Sequence, residues 1–185
     1  RVANKQKQTP EIVGIMIDNH ADARPQSGLS QARVVYEALV EGGITRYLAI
    51  YNREQTVAKI GSVRSTRPYY IDWIREYGYS LYMFCGGSPQ ALLEANNIGL
   101  MSANQFYWAD YYWRDNLLLA PYNLFTSSSL WQKLYSNFVK ASSTAWLGWK
   151  FNSSITPSKS IKSIHLPFSN SYEVIWKYSV ASGSY

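Results

Sequence analysis

The chain has 185 residues, of which 46% are hydrophobic, and this length is enough for one domain with a substantial core. Its 18 basic and 12 acidic side chains give a formal net charge of +6, and the basic residues are spread along the chain, which disfavours a nucleic-acid surface but leaves an anionic partner open. A single cysteine, Cys85, and two histidines exclude a disulfide framework and disfavour a metal centre, so we expect neither a metal nor a cofactor.

The chain begins with a polar segment followed by an apolar run. Residues 1–10 are charged and polar, so we expect a linker there and a single domain over residues 11–185. The continuous apolar, β-branched run over residues 12–17 predicts a buried central strand. No apolar run approaches the length of a transmembrane helix.

A helix is predicted after the polar loop that follows this strand. Ser30 is a good N-cap for a helix over residues 31–41, and Gly42-Gly43 would end it. On such a helix, Glu37 and Glu41 share one face because they are four residues apart.

Strands and helices alternate through the next part of the chain. We predict strands over residues 44–51, 56–63 and 79–84, the first two joined as a hairpin, and helices over residues 68–77 and 89–94. Ser65 or Thr66 is the expected cap of the helix that begins at Pro68.

The second half of the chain carries weaker signals. They predict a helix over residues 128–139, capped by Thr126 or Ser127, and strands near residues 146–151 and 172–178. The pattern is that of a mixed α and β protein, with helices packed on a mixed sheet. Sixteen tyrosines and seven tryptophans are expected to fill the core rather than to form an exposed platform for sugars or peptides.

Three polar segments directly follow predicted strands. They are the loop over residues 18–28, the turn over residues 64–67 and the turn over residues 86–88. Ligand crevices in α/β sheets form at the carboxyl ends of strands. We therefore predict that the three segments lie side by side at one edge of the sheet, and that the first, with its carboxylates, imidazole and guanidinium, is a binding loop.

Two arginines, Arg64 and Arg67, lie where the positive end of a helix dipole is predicted. Placing guanidinium groups there is unfavourable unless an acidic group compensates. We predict that both arginines are substantially buried and engage Asp18, Glu37 or Glu41, or else a bound phosphate or carboxylate.

The acidic residues and the histidine of these segments allow several interpretations. Glu37 and Glu41 could act as a general acid and base, but a solvated face or a salt bridge to Arg46 is the commoner role of acids at this spacing. Asp18 with Asp22 could hold a hard cation, although no calcium-loop spacing is present. His20 could shuttle a proton or be a surface hydrogen-bonding residue.

The turn over residues 86–88 also has two interpretations. Gly86-Gly87 with Ser88 could form a backbone nest for an anion. A tight turn from a strand into a helix requires the same residue types.

Several segments together resemble the YerB-like bacterial lipoproteins, a family with no established activity. The resemblance is dense over residues 12–92 and is seen again near residues 113–127. The segments that carry it are residues 15–20 (IMIDNH), 23–29 (ARPQSGL), 35–37 (VYE), 41–46 (EGGITR), 61–70 (GSVRSTRPYY), 113–115 (WRD) and 120–127 (APYNLFTS).

This resemblance implies an α+β fold in which mixed β-sheet layers pack with helices as in a three-layer sandwich. It also implies an extracytoplasmic protein anchored to the cell membrane through an N-terminal lipid, which is absent from this chain. Family members continue into a further C-terminal region, which this chain is expected to lack. The family carries a histidine where this chain has Tyr122, so a mechanism that needs an imidazole there is weakened.

Three functions are consistent with these features. The preferred one is a cell-envelope module that binds an anionic ligand, such as a wall glycan or a peptide carboxylate, or an envelope protein. Alternatives are a glycan-active enzyme that uses Glu37 and Glu41 with aromatic walls such as Trp108 or Trp113, and a structural adaptor. The predicted ligand-binding residues are Asp18, Asn19, His20, Arg24, Gln26, Arg46, Arg64, Arg67 and Ser88.

Overall fold

The computed structural model describes residues 11–97, 100–138, 149 and 161–185. The linker predicted over residues 1–10 and the strand predicted near residues 146–151 lie outside these residues, apart from Trp149. The strands are β1 (Ile12–Asp18), β2 (Val34–Leu39), β3 (Thr45–Asn52), β4 (Ile60–Gly61), β5 (Leu81–Phe84), β6 (Met101–Asn104), β7 (Trp113–Arg114), β8 (Leu124–Thr126), β9 (Ser163–Ser169) and β10 (Tyr172–Lys177). The α-helices are α1 (Pro68–Arg75), α2 (Pro89–Asn97) and α3 (Ser128–Tyr135).

The β1 strand lies in the middle of a five-stranded sheet with the order β2-β3-β1-β5-β6. It pairs antiparallel with β3 and parallel with β5. Every side chain of β1 is buried, which explains its continuous apolar sequence, because a strand covered on both faces needs no polar alternation. The prediction of a buried central strand is confirmed.

Two cores cover the two faces of this sheet. Ile15 and Ile17 pack on one face with residues of α3, such as Trp131, and with residues of the small sheet β4-β8-β7. On the other face, Met16 packs with α1 through Ile74 and with α2. Helices and the small sheet therefore sandwich the main sheet, and the predicted α+β fold in layers is confirmed. The expected aromatic core is confirmed in part. The largest fully buried side chains include Trp131, Tyr51, Tyr70, Tyr82 and Phe84, but Tyr107, Trp149 and Trp176 are exposed.

The helix predicted over residues 31–41 is wrong. The segment begins with a short 3₁₀ turn and continues as the edge strand β2, which pairs antiparallel with β3. Val34, Tyr36 and Ala38 pack on one core while Val35 is exposed, so the burial alternates with the period of a strand. Ser30 lies inside the 3₁₀ turn rather than at a helix N-cap.

The strand predicted over residues 56–63 shrinks to the two residues of β4. This strand pairs with β8, so the predicted hairpin with β3 is wrong. The predicted strand is short because the backbone of Val57 bonds to Ser128 rather than to β3. The Val57 N–H donates to Ser128 Oγ at 3.0 Å, and the Val57 carbonyl accepts from the Ser128 N–H at 2.9 Å.

The α-helices begin and end close to the predicted residues. Pro68 is in the first turn of α1, as expected, but the N-cap is Arg67 and no side-chain cap bond is present there. Thr66 cannot serve as the cap because its hydroxyl contacts the hydroxyl of Tyr82. α3 ends at Tyr135, and Ser127 occupies its N-cap position.

Two glycines with the same left-handed backbone provide a test of the packing behind the loop over residues 18–28. Both Gly28 and Gly42 have φ = 74°. A Cβ on Gly28 would lie 2.6 Å from the backbone oxygen of Lys59, whereas a Cβ on Gly42 would meet nothing within 4 Å. We expect Gly42→Ala to cost about 1 kcal/mol from backbone strain, and Gly28→Ala to cost about 2 kcal/mol more because backbone atoms must move.

Urea unfolding of the two variants measures this difference. Equal losses in both variants would show that the contact between residue 28 and Lys59 is loose.

Candidate functional site

The three polar segments do meet at one edge of the main sheet. Val63 bridges Ile17, and the N–H of Arg64 donates to the Met16 carbonyl at 3.0 Å, which joins the turn over residues 64–67 to β1. The N–H of Thr66 donates to the Gly86 carbonyl at 3.0 Å, which joins the same turn to the end of β5. The predicted arrangement is confirmed, and the turn over residues 64–67 lies between the other two.

Asp18 ends β1 and is fully buried. Its Oδ2 accepts a hydrogen bond from Arg64 Nε at 2.7 Å, and its Oδ1 accepts from the backbone N–H of His20 at 3.1 Å. A buried carboxylate needs such compensation because desolvation disfavours its charged form. The prediction that Arg64 engages Asp18 is thus confirmed.

Arg46 lies directly opposite Asp18 on the neighbouring strand β3. Its side chain is buried, with 6% of the residue exposed, and Nη1 donates to the Ser65 carbonyl at 3.1 Å. Its Nε is buried without a hydrogen-bond partner among the described residues. Burial lowers the pKa of Arg46, and the nearby Arg67 and Arg64 lower it further while Asp18 opposes the shift.

Arg67 is paired with Glu41 in a two-pronged ion pair. Arg67 Nε lies 2.7 Å from Glu41 Oε1, and Nη2 lies 2.5 Å from Oε2. The Glu41 side chain is 69% exposed whereas that of Arg67 is 16% exposed, so the pair lies at the surface rather than in the core. The hydrogen bonds from Arg67, together with a backbone hydrogen bond, lower the pKa of Glu41 to about 2.

We call Arg46, Arg64 and Arg67, with the carboxylates of Asp18 and Glu41, the arginine cluster. Three positive charges face two negative charges, which leaves a formal surplus of one positive charge. Each carboxylate is hydrogen-bonded by a different arginine, and Arg46 is the arginine that bonds to neither.

A second group of polar side chains surrounds Glu37, beside the arginine cluster. Glu37 Oε1 accepts hydrogen bonds from Thr45 Oγ1 at 2.6 Å, Tyr172 OH at 2.8 Å and Asn19 Nδ2 at 3.1 Å. Tyr172 comes from the β9–β10 hairpin, and Arg24 packs over its ring at 5.1 Å. We call these residues the Glu37 network.

Asn19 connects the Glu37 network to the loop over residues 18–28. Its Oδ1 accepts from Arg24 Nε at 3.0 Å and from Gln26 Nε2 at 2.9 Å. Of the predicted ligand-binding residues, Asn19, Arg24 and Gln26 therefore belong to this network, and Arg24 and Gln26 both donate to Asn19. Sequence reasoning missed Thr45 and Tyr172, and the sequence carries no local signal for the latter because it lies 153 residues from Asn19.

His20 is placed at the rim of the site. Its Nδ1 accepts the backbone N–H of Asp22 at 3.2 Å. The imidazole stacks on Tyr122 with ring centroids 4.9 Å apart and an angle of 10°. Tyr122 thus serves as a stacking partner for His20.

Ser88 and the glycine turn have structural partners. Ser88 Oγ accepts the N–H of Ala91 at 3.3 Å, which caps α2, and the N–H of Gly86 donates to Asn104 Oδ1 at 3.0 Å. Within the described residues, no group of three or more His, Cys, Asp or Glu side chains could hold a metal ion. Cys85 is half-buried, and burial raises the pKa of its thiol.

Glu37 and Glu41 do not share a helical face, because Glu37 is in β2 and Glu41 is in the 3₁₀ turn that follows. The predicted alternative of a salt bridge to Arg46 is also not formed, since Glu41 pairs with Arg67. The lowered pKa of Glu41 opposes a role as general acid, which requires a carboxyl group that holds its proton near neutral pH.

Comparison with known proteins assigns the chain to a family. Residues 1–143 match the N-terminal domain of a family described as protein of unknown function (DUF3048). The chain belongs to this family. The predicted resemblance is therefore confirmed, and the description assigns no activity to the family.

A relative and its structure agree with this assignment. The Bacillus subtilis (strain 168) protein described as "Putative lipoprotein YerB" is 39% identical over 117 residues, which cover 62% of this chain and 34% of that protein. The crystal structure of YerB protein from Bacillus subtilis superimposes with a TM-score of 0.64 at 34% identity, covering 70% of this chain and 44% of that one. The match thus spans less than half of the relative's length. No helix among the described residues is long and apolar enough to cross a membrane.

The Arg67–Glu41 pair predicts a specific dependence of stability on pH. The folded-state pKa of Glu41 is depressed from 4.5 to about 2, so the stabilisation is present above pH 4.5 and is lost as the pH falls towards 2. We expect Glu41→Gln to make stability less sensitive to pH in this range, while Glu54→Gln, an exposed acid in the turn after β3, leaves the profile unchanged. Urea midpoints between pH 2 and pH 5 measure the effect. Parallel profiles for wild type and Glu41→Gln would contradict it.

The same ion pair predicts a modest loss of stability for Arg67→Ala. Because Glu41 is largely exposed, the loss should be about 1 kcal/mol rather than the 3 to 5 kcal/mol of a broken buried pair. Urea unfolding at neutral pH measures this cost, and a loss above about 3 kcal/mol would show that Glu41 is shielded in solution.

Proposed function

We propose that this chain is an extracytoplasmic cell-envelope module that binds an anionic ligand, or an acidic patch of an envelope protein, at the arginine cluster. The observation that supports this proposal is the environment of Arg46. Its side chain is buried, and among the described residues its guanidinium makes one hydrogen bond and none to a carboxylate.

The argument starts from the cost of burying a charge. A guanidinium has five N–H donors, and buried charges are normally paired because desolvation costs several kcal/mol per ion. Asp18 is bonded by Arg64 and Glu41 by Arg67, so the third guanidinium has only the more distant field of these carboxylates. A bound anion would supply the missing charge and acceptors.

Arg64 and Arg67 would complete such a site. Their side chains are 24% and 16% exposed, so both can be reached from solvent next to Arg46. The bond from Arg64 to Asp18 uses Nε, which leaves donors on its terminal nitrogens that the described residues do not engage. Guanidinium groups bind phosphate and carboxylate in a two-pronged manner, which fits either ligand class.

The location in the envelope is also a proposal. It rests on the description of YerB as a lipoprotein and on membership of the same family. In this view the chain reaches the membrane through a lipid anchor outside the given sequence and has no nucleic-acid partner. No observation in the site favours the glycan-active enzyme, since both candidate carboxylates are engaged by neighbouring side chains.

Arg46→Met tests the proposal, because it removes the underpaired charge and keeps most of the side-chain volume. We expect the unliganded variant to be as stable as wild type or more stable, since a buried charge without its own partner is lost. Wild type should gain about 1.4 kcal/mol, or about 3 to 6 °C, in inorganic phosphate at ten times the dissociation constant. Arg46→Met should lose this gain.

The matched control is Arg75→Met, which removes the same charge from an exposed pair with Asp72 on α1. It should keep the full response to phosphate when ionic strength is matched with chloride. A phosphate response in Arg46→Met equal to that of wild type would overturn the proposal, and so would a wild type that does not respond to phosphate, citrate or a phosphorylated wall polymer.

A further inference from the structure

Two short turns project apolar side chains into solvent near the arginine cluster. In the first, residues 117–119 are three consecutive leucines with exposed fractions of 94%, 44% and 85%. In the second, Phe106 is 70% exposed and Tyr107 is 81% exposed. We call them the leucine turn and the aromatic turn. Exposed apolar residues grouped in this way usually mark a contact surface.

Both turns are held by defined hydrogen bonds, so the apolar side chains are presented in a fixed arrangement. Asp115 Oδ1 accepts the N–H of Leu117 at 3.0 Å, and Lys59 Nζ holds Asp115 Oδ2 at 2.6 Å. In the aromatic turn, the carbonyl of Asn104 accepts the N–H groups of Tyr107 at 2.9 Å and of Trp108 at 3.0 Å.

Both turns lie against the polar edge of the main sheet. Tyr122 closes the leucine turn through a bond from its N–H to the Leu119 carbonyl at 3.0 Å, and Arg64 lies 5.9 Å from the centre of its ring. Phe106 packs against Gly86, at a point where a Cβ on Gly86 would be 3.0 Å from Phe106 and 3.9 Å from Ser65 Oγ. The leucine turn therefore adjoins Arg64, and the aromatic turn adjoins Gly86 at the end of β5, next to Ser65.

A second cation lies at the base of the leucine turn. Arg114 immediately precedes Asp115 and donates to Asn123 Oδ1 at 2.7 Å. Arg114 and Arg64 both lie close enough to Cys85 for their charges to lower the pKa of its thiol against the effect of burial. Cys85 directly follows β5, so both arginines lie near the end of that strand. The surface is therefore made of two apolar turns with cations at their bases.

We propose that this surface docks on an anionic lipid bilayer, with the leucine turn and the aromatic turn inserted among the headgroups and the arginines facing lipid phosphates. A leucine that is 94% exposed projects outward, and a protein partner would need a matching pocket for it. Acyl chains rearrange around any convex apolar tip, and anionic headgroups complement the cations at the base. These two features favour a bilayer.

Vesicle sedimentation tests the proposal with the full chain. The probe is phosphatidylcholine vesicles with about a quarter phosphatidylglycerol, against vesicles of pure phosphatidylcholine. Wild type should bind the anionic vesicles more strongly, and added salt should weaken that preference. The double variant Leu117→Ser with Leu119→Ser should lower the partition coefficient about a hundredfold, since two inserted leucines are lost.

Two controls make the result specific. Leu93→Ser changes a leucine that is 64% exposed on α2 and should bind vesicles as wild type does. The double leucine variant should keep the thermal midpoint of wild type, because its substituted side chains are almost fully exposed.

Three results would overturn the proposal. They are wild-type protein that stays in the supernatant, a double leucine variant that sediments like wild type, and a chain that ignores vesicles but forms a dimer only with the leucines intact. The last result would make the surface a contact between copies.

Arg46→Met should still bind vesicles. If Arg46→Met loses vesicle binding and the leucine variant keeps it, the arginine cluster rather than the two turns recognises lipid.

Discussion

The buried carboxylate of Asp18 is the group on which the polar edge of this fold depends. It ends a strand whose side chains are all buried, so its charge cannot be solvated by water and must be compensated by the protein. Arg64 supplies one hydrogen bond and the backbone of His20 supplies another. These two bonds tie the turn over residues 64–67 and the loop over residues 18–28 to the same strand end.

Compensation of the two carboxylates uses two of the three arginines, and among the described residues the Arg46 guanidinium has one hydrogen bond. The register of β1 with β3 places Arg46 opposite Asp18, and Tyr70 and Ser65 pack around it through bonds with its backbone and guanidinium. A fold selected for stability alone would favour an apolar side chain at such a position. Departures of this kind from the rules of stable packing are expected at functional sites, where a ligand completes the missing interactions.

The arginine cluster and the two apolar turns are neighbouring but different parts of this edge. The arginine cluster lies at the ends of β1 and β3 and at the start of α1, whereas the leucine and aromatic turns lie around the small sheet and after β6. Arg64 is common to both regions because it bonds to Asp18 and lies against Tyr122. The proposed ligand site and the proposed bilayer surface therefore share one side chain.

The sequence by itself determined the features that depend on local pattern. The apolar run of β1 predicts a strand buried on both faces, Pro68 marks the first turn of α1, and the positions of Arg64 and Arg67 predict a need for carboxylates. The family resemblance added the layered fold. The first three features follow from residue types and spacing within short segments, whereas the layered fold was implied by the resemblance.

The tertiary structure decided which distant groups meet. Residues 34–39 have apolar spacing that fits a helix, and only pairing with β3 makes them an edge strand and separates Glu37 from the helical face expected for it. The choice of Glu41 for Arg67, of Asp18 for Arg64, and of Tyr172 for Glu37 also depends on strand order and register. Such contacts cannot be read from local sequence, because a side chain's partner depends on how strands far apart in the chain align. Asp18, Glu37 and Glu41 are all suitable partners for an arginine, and only that alignment selects among them.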